Sequence, residues 1–169
     1  MALDRRVAFV RKWYQRGQHE KDPFDRFFSL WIALAVAAQR ESVRERDDTD
    51  RKKVLAYLEL KEQKVLRALE EQKEHMVNLA SRRGATYGNA IVDAEWRNLQ
   101  AHFTKLAEHF TGRGRILSSD LVKAVGELLN TIRNNVFHGV KVYDDAADVA
   151  LLESLNPVLE AILARCEEL

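Results

Sequence analysis

Residues 130–141 read NTIRNNVFHGVK, and two of them carry groups suited to chemistry at a phosphate. Arg133 is a permanent cation whose planar fork matches phosphate oxygens. His138 titrates near neutrality, with an ordinary pKa of ~6.5, and so can take up or release a proton. Together they would anchor an anion and move protons beside it. Four residues separate them. On a straight helix, positions at that spacing diverge by roughly 140° around the axis. Convergence therefore needs the helix to end or bend between them, and Asn134, Asn135 and Gly139 are residue types that permit it. A plainer reading stands beside this one: a histidine before glycine caps the carbonyls of a helix end, and Arg133 pairs with an acidic neighbour. Spacing alone does not decide between them. RNLQAH, from Arg97 to His102, repeats the arrangement inside an amphipathic helical pattern without glycine or proline, where the two side chains should point apart.

The elements that position these residues are helical almost throughout, because apolar residues recur at helical spacing and no alternating run is long enough for a strand. Segment 4–16 is a short basic helix, with Arg5, Arg6, Arg11, Lys12 and Arg16 against Asp4. Asp22 and Pro23 open a second helix, as cap and first helical residue. That helix carries Phe24, Phe27, Phe28, Trp31, Leu34, Ala35 and Ala38 and should be central in the core. After a charged connector, Val54, Leu58, Val65, Leu69 and Met76 mark one face of a single long helix over about 50–80. A fourth helix is expected over about 91–110, with Trp96, Leu99, Phe103, Leu106 and Phe110. A fifth starts at Ser118, Ser119 or Asp120 and turns Leu121, Val122, Val125, Leu128, Leu129 and Ile132 inward. The last, about 144–168, should continue across Asn156-Pro157 as one kinked helix. The expectation is one all-α domain over 1–169, a bundle of five or six helices.

Composition narrows the function classes. The 27 Lys and Arg balance 26 Asp and Glu, so an anionic ligand must be met by a local patch and not by bulk charge. The single cysteine, Cys166, excludes an internal disulfide framework and a cysteine zinc site, and reads as a buried thiol. The N-terminal MALDRRVAFVRKWYQR is too charged for a signal peptide. The apolar run FFSLWIALAVAA, 27–38, is too short to span a bilayer and is flanked by Arg26 and Arg40. A soluble, cytoplasmic protein with no membrane contact is expected. His102 and His109 share a helix face, yet no third ligand of suitable spacing accompanies them, so no metal is expected. Gly112 and Gly114 do not form a phosphate-binding loop, since no strand precedes them. No cofactor is implied.

LLNTIRNNVFHGVKVYDDAADVALLESLNPVLEAIL resembles the HEPN superfamily of small all-helical domains. The likeness lies in Arg133, Asn134 and His138 standing just before the last helix, and FDRFFSLWIALAVAAQ, 24–39, is similar to the aromatic-rich early helix of some members. It covers roughly the last third of the chain and part of the second helix. The resemblance implies a helical bundle, a homodimer formed through the motif-bearing face, and metal-independent cleavage of RNA. In that chemistry Arg133 and His138 are the catalytic residues, Asn134 would donate to phosphate or fix the loop, Asn135 would be a further substrate contact, and Lys141, followed by Arg113 and Arg115, would guide the anionic strand. Glu127, six residues before Arg133, reads as a plain surface carboxylate in preference to a group that orients the arginine. Family likeness also brings a setting in bacterial defence or a toxin–antitoxin pair, with an antitoxin or regulatory protein as partner. The tyrosine that modification-silenced relatives carry two residues after the histidine is Val140 here. The alternative is a non-catalytic dimerisation or nucleotide- or RNA-binding module in which the motif is structural.

Overall fold

The computed structural model describes residues 2–41, 49–81, 93–112, 114, 116–137 and 146–169. Among them every regular element is an α-helix: α1 (Ala2–His19), α2 (Pro23–Glu41), α3 (Asp50–Leu60), α4 (Glu62–Glu71), α5 (Lys73–Ala80), α6 (Asp93–Phe110), α7 (Ser118–Phe137) and α8 (Ala146–Glu167). The start of α2 follows from its cap. Asp22 Oδ1 accepts from the backbone N–H groups of Phe24 and Asp25 at 2.9 and 3.0 Å, and Pro23 fills the first helical position.

The expected single helix over 50–80 is three helices, so eight are described where five or six were anticipated. The breaks fall at Lys61 and Gln72, whose backbones leave the helical region at φ −101°, ψ 20° and φ −101°, ψ 28°. Neither is a glycine or proline, so no local signal marks them. Each joint residue still bonds to the helix on either side: Lys61 N donates to Tyr57 O at 3.1 Å and Lys61 O accepts from Val65 N at 3.0 Å, and Gln72 N donates to Ala68 O at 3.1 Å and Gln72 O accepts from Met76 N at 3.0 Å. The apolar face survives: Val54, Leu58, Val65, Leu69 and Met76 are all buried. Its neighbours change along the way, however. α3 packs on α2 and α7, α4 mainly on α8, and α5 on α6 and α8. A straight rod would not serve three sets of partners, and tertiary packing overrides the uniform helical pattern.

α2 lies at the centre, against α1 on one side and α8 and α3 on others, with Phe24, Phe27, Leu30 and Leu34 sealed from solvent. α8 is continuous through Pro157, and Asn156 beside it donates from Nδ2 to the Pro23 carbonyl at 2.8 Å, tying α8 to the start of α2. Cys166 is buried as expected, and burial pushes its thiol up to about 11. Two helix pairs approach closely at glycine. A Cβ on Gly17 of α1 would meet Leu30 of α2 at 2.7 Å, and one on Gly126 of α7 would meet Leu55 of α3 at 2.7 Å. No helix among the described residues is long and apolar enough to cross a membrane.

Candidate functional site

Arg133 stands four residues before the end of α7, one residue after the buried Ile132. Its guanidinium lies beside two aromatic rings, one of its own helix and one of α2. The guanidinium carbon lies 4.8 Å from the centroid of Phe137, one helical turn on, and 5.8 Å from that of Trp31 of α2. One of its terminal nitrogens donates to Asn134 Oδ1 at 2.9 Å. Its Nε is buried without a partner. The nearest carboxylate in an ion pair with it is Asp50, at 4.0 Å, beyond hydrogen-bond range and itself mostly exposed. A pair of that kind contributes little.

Other arginines that reach between helices are held differently. Arg51 grips Glu127 through two nitrogens, Arg40 reaches Glu167 at 2.7 Å and Glu41 at 3.0 Å, and Arg26 and Arg165 contact Glu160 and Glu71. Each has a carboxylate in direct contact. Arg133 has two aromatic faces, one amide oxygen and a distant acid. Among the described residues its only ion pair is the 4.0 Å one with Asp50, and 28% of its side chain faces solvent.

Glu127 corrects an expectation. It is buried at 8% exposure, not a plain surface carboxylate, and it belongs to Arg51 rather than to Arg133. The pair joins α3 to α7. Asn134 is half-buried and spends its side-chain oxygen on Arg133, while Asn135 is buried on the same turn. His138, Gly139, Val140 and Lys141 lie outside the described residues, as do Arg113 and Arg115. The motif is therefore described through Arg133, Asn134 and Asn135.

The remaining histidine candidates do not join this site. His102 of α6 is half-buried, and its Nδ1 has no partner. Burial drives its pKa down, partly opposed by Glu127. Among the described residues no three His, Cys, Asp or Glu side chains converge to hold a metal ion. A cleft of about 480 Å³ opens between the ends of α2 and α8, but its charges satisfy one another: Arg40 with Glu41 and Glu167, Lys64 with Glu168 at 2.7 Å, and Lys61 with Glu41 at 3.6 Å. No anion is invited there.

Two features of the site were not singled out from the sequence. Trp31 read as core, and it is core by burial, yet its ring also flanks Arg133. Phe137 sat within the motif stretch as an apolar residue, and it is the nearer of the two rings. The signal was its place four residues after Arg133, the spacing at which helical side chains meet. Comparison with protein families, with curated proteins and with solved structures finds no match for this chain.

Proposed function

We propose that this chain is a metal-independent endoribonuclease of HEPN type, working as a homodimer whose active site takes an Arg133–His138 motif from each copy. The observation that supports the reading is the guanidinium of Arg133, which lies beside the rings of Trp31 and Phe137 five positions before a histidine and, among the described residues, has no carboxylate closer than Asp50 at 4.0 Å in an ion pair. In the proposed reaction the 2′-oxygen of RNA attacks the adjacent phosphorus. The O2′–P bond forms and the P–O5′ bond breaks. One imidazole accepts the 2′-hydroxyl proton and another protonates the departing 5′ oxygen. Arg133 holds the non-bridging oxygens as negative charge gathers on them. One chain brings one histidine at the motif, so a two-fold pairing supplies both acid and base. Asn134 keeps the guanidinium aimed, and Asn135 and Lys141 contribute to holding substrate. No cofactor enters the scheme. The setting that accompanies this reading is the bacterial cytoplasm, in defence or under the control of an antitoxin-like partner.

A second reading is favoured by the same contacts. Two cation–π partners are also what a structural arginine would have, and the chain would then be a non-catalytic dimerisation or nucleotide-binding module. One assay separates them: purified protein with RNA in excess chelator, beside Arg133→Ala, His138→Ala and, as control, His102→Ala. The nuclease reading expects chelator-resistant cleavage, reduced about 100-fold or more by the first two substitutions and untouched by the third. If no cleavage is detected and Arg133→Ala chiefly lowers the melting temperature, the motif is structural.

A further inference from the structure

Arg133 is one end of a longer feature. Phe137 stacks on Phe28 of α2, with ring centroids 5.1 Å apart and planes 24° from parallel. Phe28 meets the edge of Trp13 of α1 at 6.3 Å, and Trp13 meets Phe9 at 6.1 Å. Phe9, Phe28 and Phe137 are each at least 40% exposed. Single exposed apolar residues are ordinary, but a row of touching rings across three helices marks a binding surface.

Its charge points to the occupant. On α1, Arg5, Lys12 and Arg16 lie within a turn or so of Phe9 and Trp13 on the same helical face. All three are exposed, and none takes part in an ion pair found among the described residues. The Arg16 guanidinium sits over the Trp13 ring at 5.1 Å. With Arg133 at the far end, the row is bracketed by cations. A second copy laid along α1 would set Arg5, Lys12 and Arg16 against a like-charged surface, which electrostatics disfavours, so the pairing proposed at Arg133 does not extend over the row. A polyanion carrying flat aromatic groups meets both the charge and the rings.

We infer that the row Phe9–Trp13–Phe28–Phe137 is a stacking track for the unpaired bases of single-stranded RNA, delivering the backbone to Arg133. This rests on the ribonuclease reading and adds to it the form of the substrate. Bases stack on the rings while phosphates lie against Arg5, Lys12 and Arg16, so affinity is general in sequence and specific for unpaired strands. A duplex keeps its bases inside the helix and offers the row nothing to stack.

The test uses the full chain and a fluorescently labelled, single-stranded 2′-O-methyl oligonucleotide, which has no free 2′-hydroxyl and is not cleaved, so binding is read apart from catalysis. At fixed salt, its affinity is compared with that of an abasic strand of equal length and charge, and of a duplex. Phe9→Leu keeps an apolar side chain and removes the ring; Phe9→Tyr keeps the ring. The expected result is a loss of about fivefold or more for the abasic strand and for Phe9→Leu, with Phe9→Tyr near the parent. Equal binding of abasic and normal strands, or Phe9→Leu indistinguishable from the parent, overturns the track. So does a dimer that sediments as monomer once Phe9→Glu is introduced, since a second copy would then cover the row. The two readings fail separately. Cleavage that needs Arg133, with binding blind to Phe9, leaves the nuclease and removes the track. Base-dependent binding without cleavage does the reverse.

Discussion

Arg133 is distinguished less by what surrounds it than by what does not. A guanidinium enclosed by protein ordinarily finds a carboxylate, and Arg51 with Glu127 shows how this chain does so when the purpose is joining helices. Arg133 instead rests on Trp31 and Phe137, and among the described residues its one hydrogen bond goes to Asn134 Oδ1. The residue types announced this possibility; the clamp did not show, because Trp31 is a hundred positions away and reads as core. His102 illustrates the opposite use of an ionisable group. Burial lowers its folded-state pKa below the ordinary 6.5, so over the window just below that value the unfolded chain binds a proton that the folded chain refuses. Stability should therefore fall as pH drops through that window. His102→Gln should flatten the dependence, measured by denaturant unfolding at a series of pH values. An unchanged slope would mean that His102 is protonated equally in both states.

At the scale of elements, close approach between helices is set at two glycines, and they are not equivalent. A methyl group at Gly17 would meet both Cγ and Cδ2 of Leu30 at 2.7 Å, and Leu30 is fully enclosed in the core. At Gly126 the nearest atom is the terminal Cδ2 of Leu55, a side chain only half-buried and able to turn away, and the enclosed Leu58 meets the methyl group only at its Cδ1 tip, at 3.1 Å, and must give by a few tenths of an ångström. Alanine also gains roughly 1 kcal/mol of helix propensity over glycine. Gly126→Ala should therefore be near neutral, whereas Gly17→Ala should destabilise by about 1–3 kcal/mol through overpacking, read as a shift in denaturant midpoint. Equal effects at the two sites would show that the α1–α2 contact yields as readily as the α3–α7 contact. Helix positions were largely legible in the chain, since Asp22-Pro23, the apolar periods and the continuation across Asn156-Pro157 are local signals. The breaks at Lys61 and Gln72 were not. They arise because one apolar face must serve α2 and α7, then α8, then α6, and that demand is written in the other helices. Glu127 was misjudged for the same reason: its partner Arg51 is remote in sequence.

Across the whole molecule, balanced net charge conceals an uneven surface. The acids are drawn into interhelical pairs such as Arg26–Glu160, Arg40–Glu167 and Arg165–Glu71, while α1 keeps exposed cations beside its rings. Under the proposed function, that partition would let a chain of formal charge +1 hold an anionic strand locally. The basic character of α1 was visible from the start; its alignment with Phe28 and Phe137 emerges only when α1, α2 and α7 are brought together. The motif was the most legible part of the site, because it is contiguous in the chain, and Arg133 with Asn134 is the portion whose contacts are described. The chemistry proposed for it leaves a mark on its products that no metal-activated water would leave as the primary end. The decisive measurement is the 3′ terminus of RNA fragments made by the full chain in excess chelator. Fragments ending in a 2′,3′-cyclic phosphate, absent with Arg133→Ala and with His138→Ala, are expected. Intact RNA under those conditions, or fragments whose ends form without the 2′-oxygen, would contradict the claim that Arg133 and His138 cut RNA through its own hydroxyl.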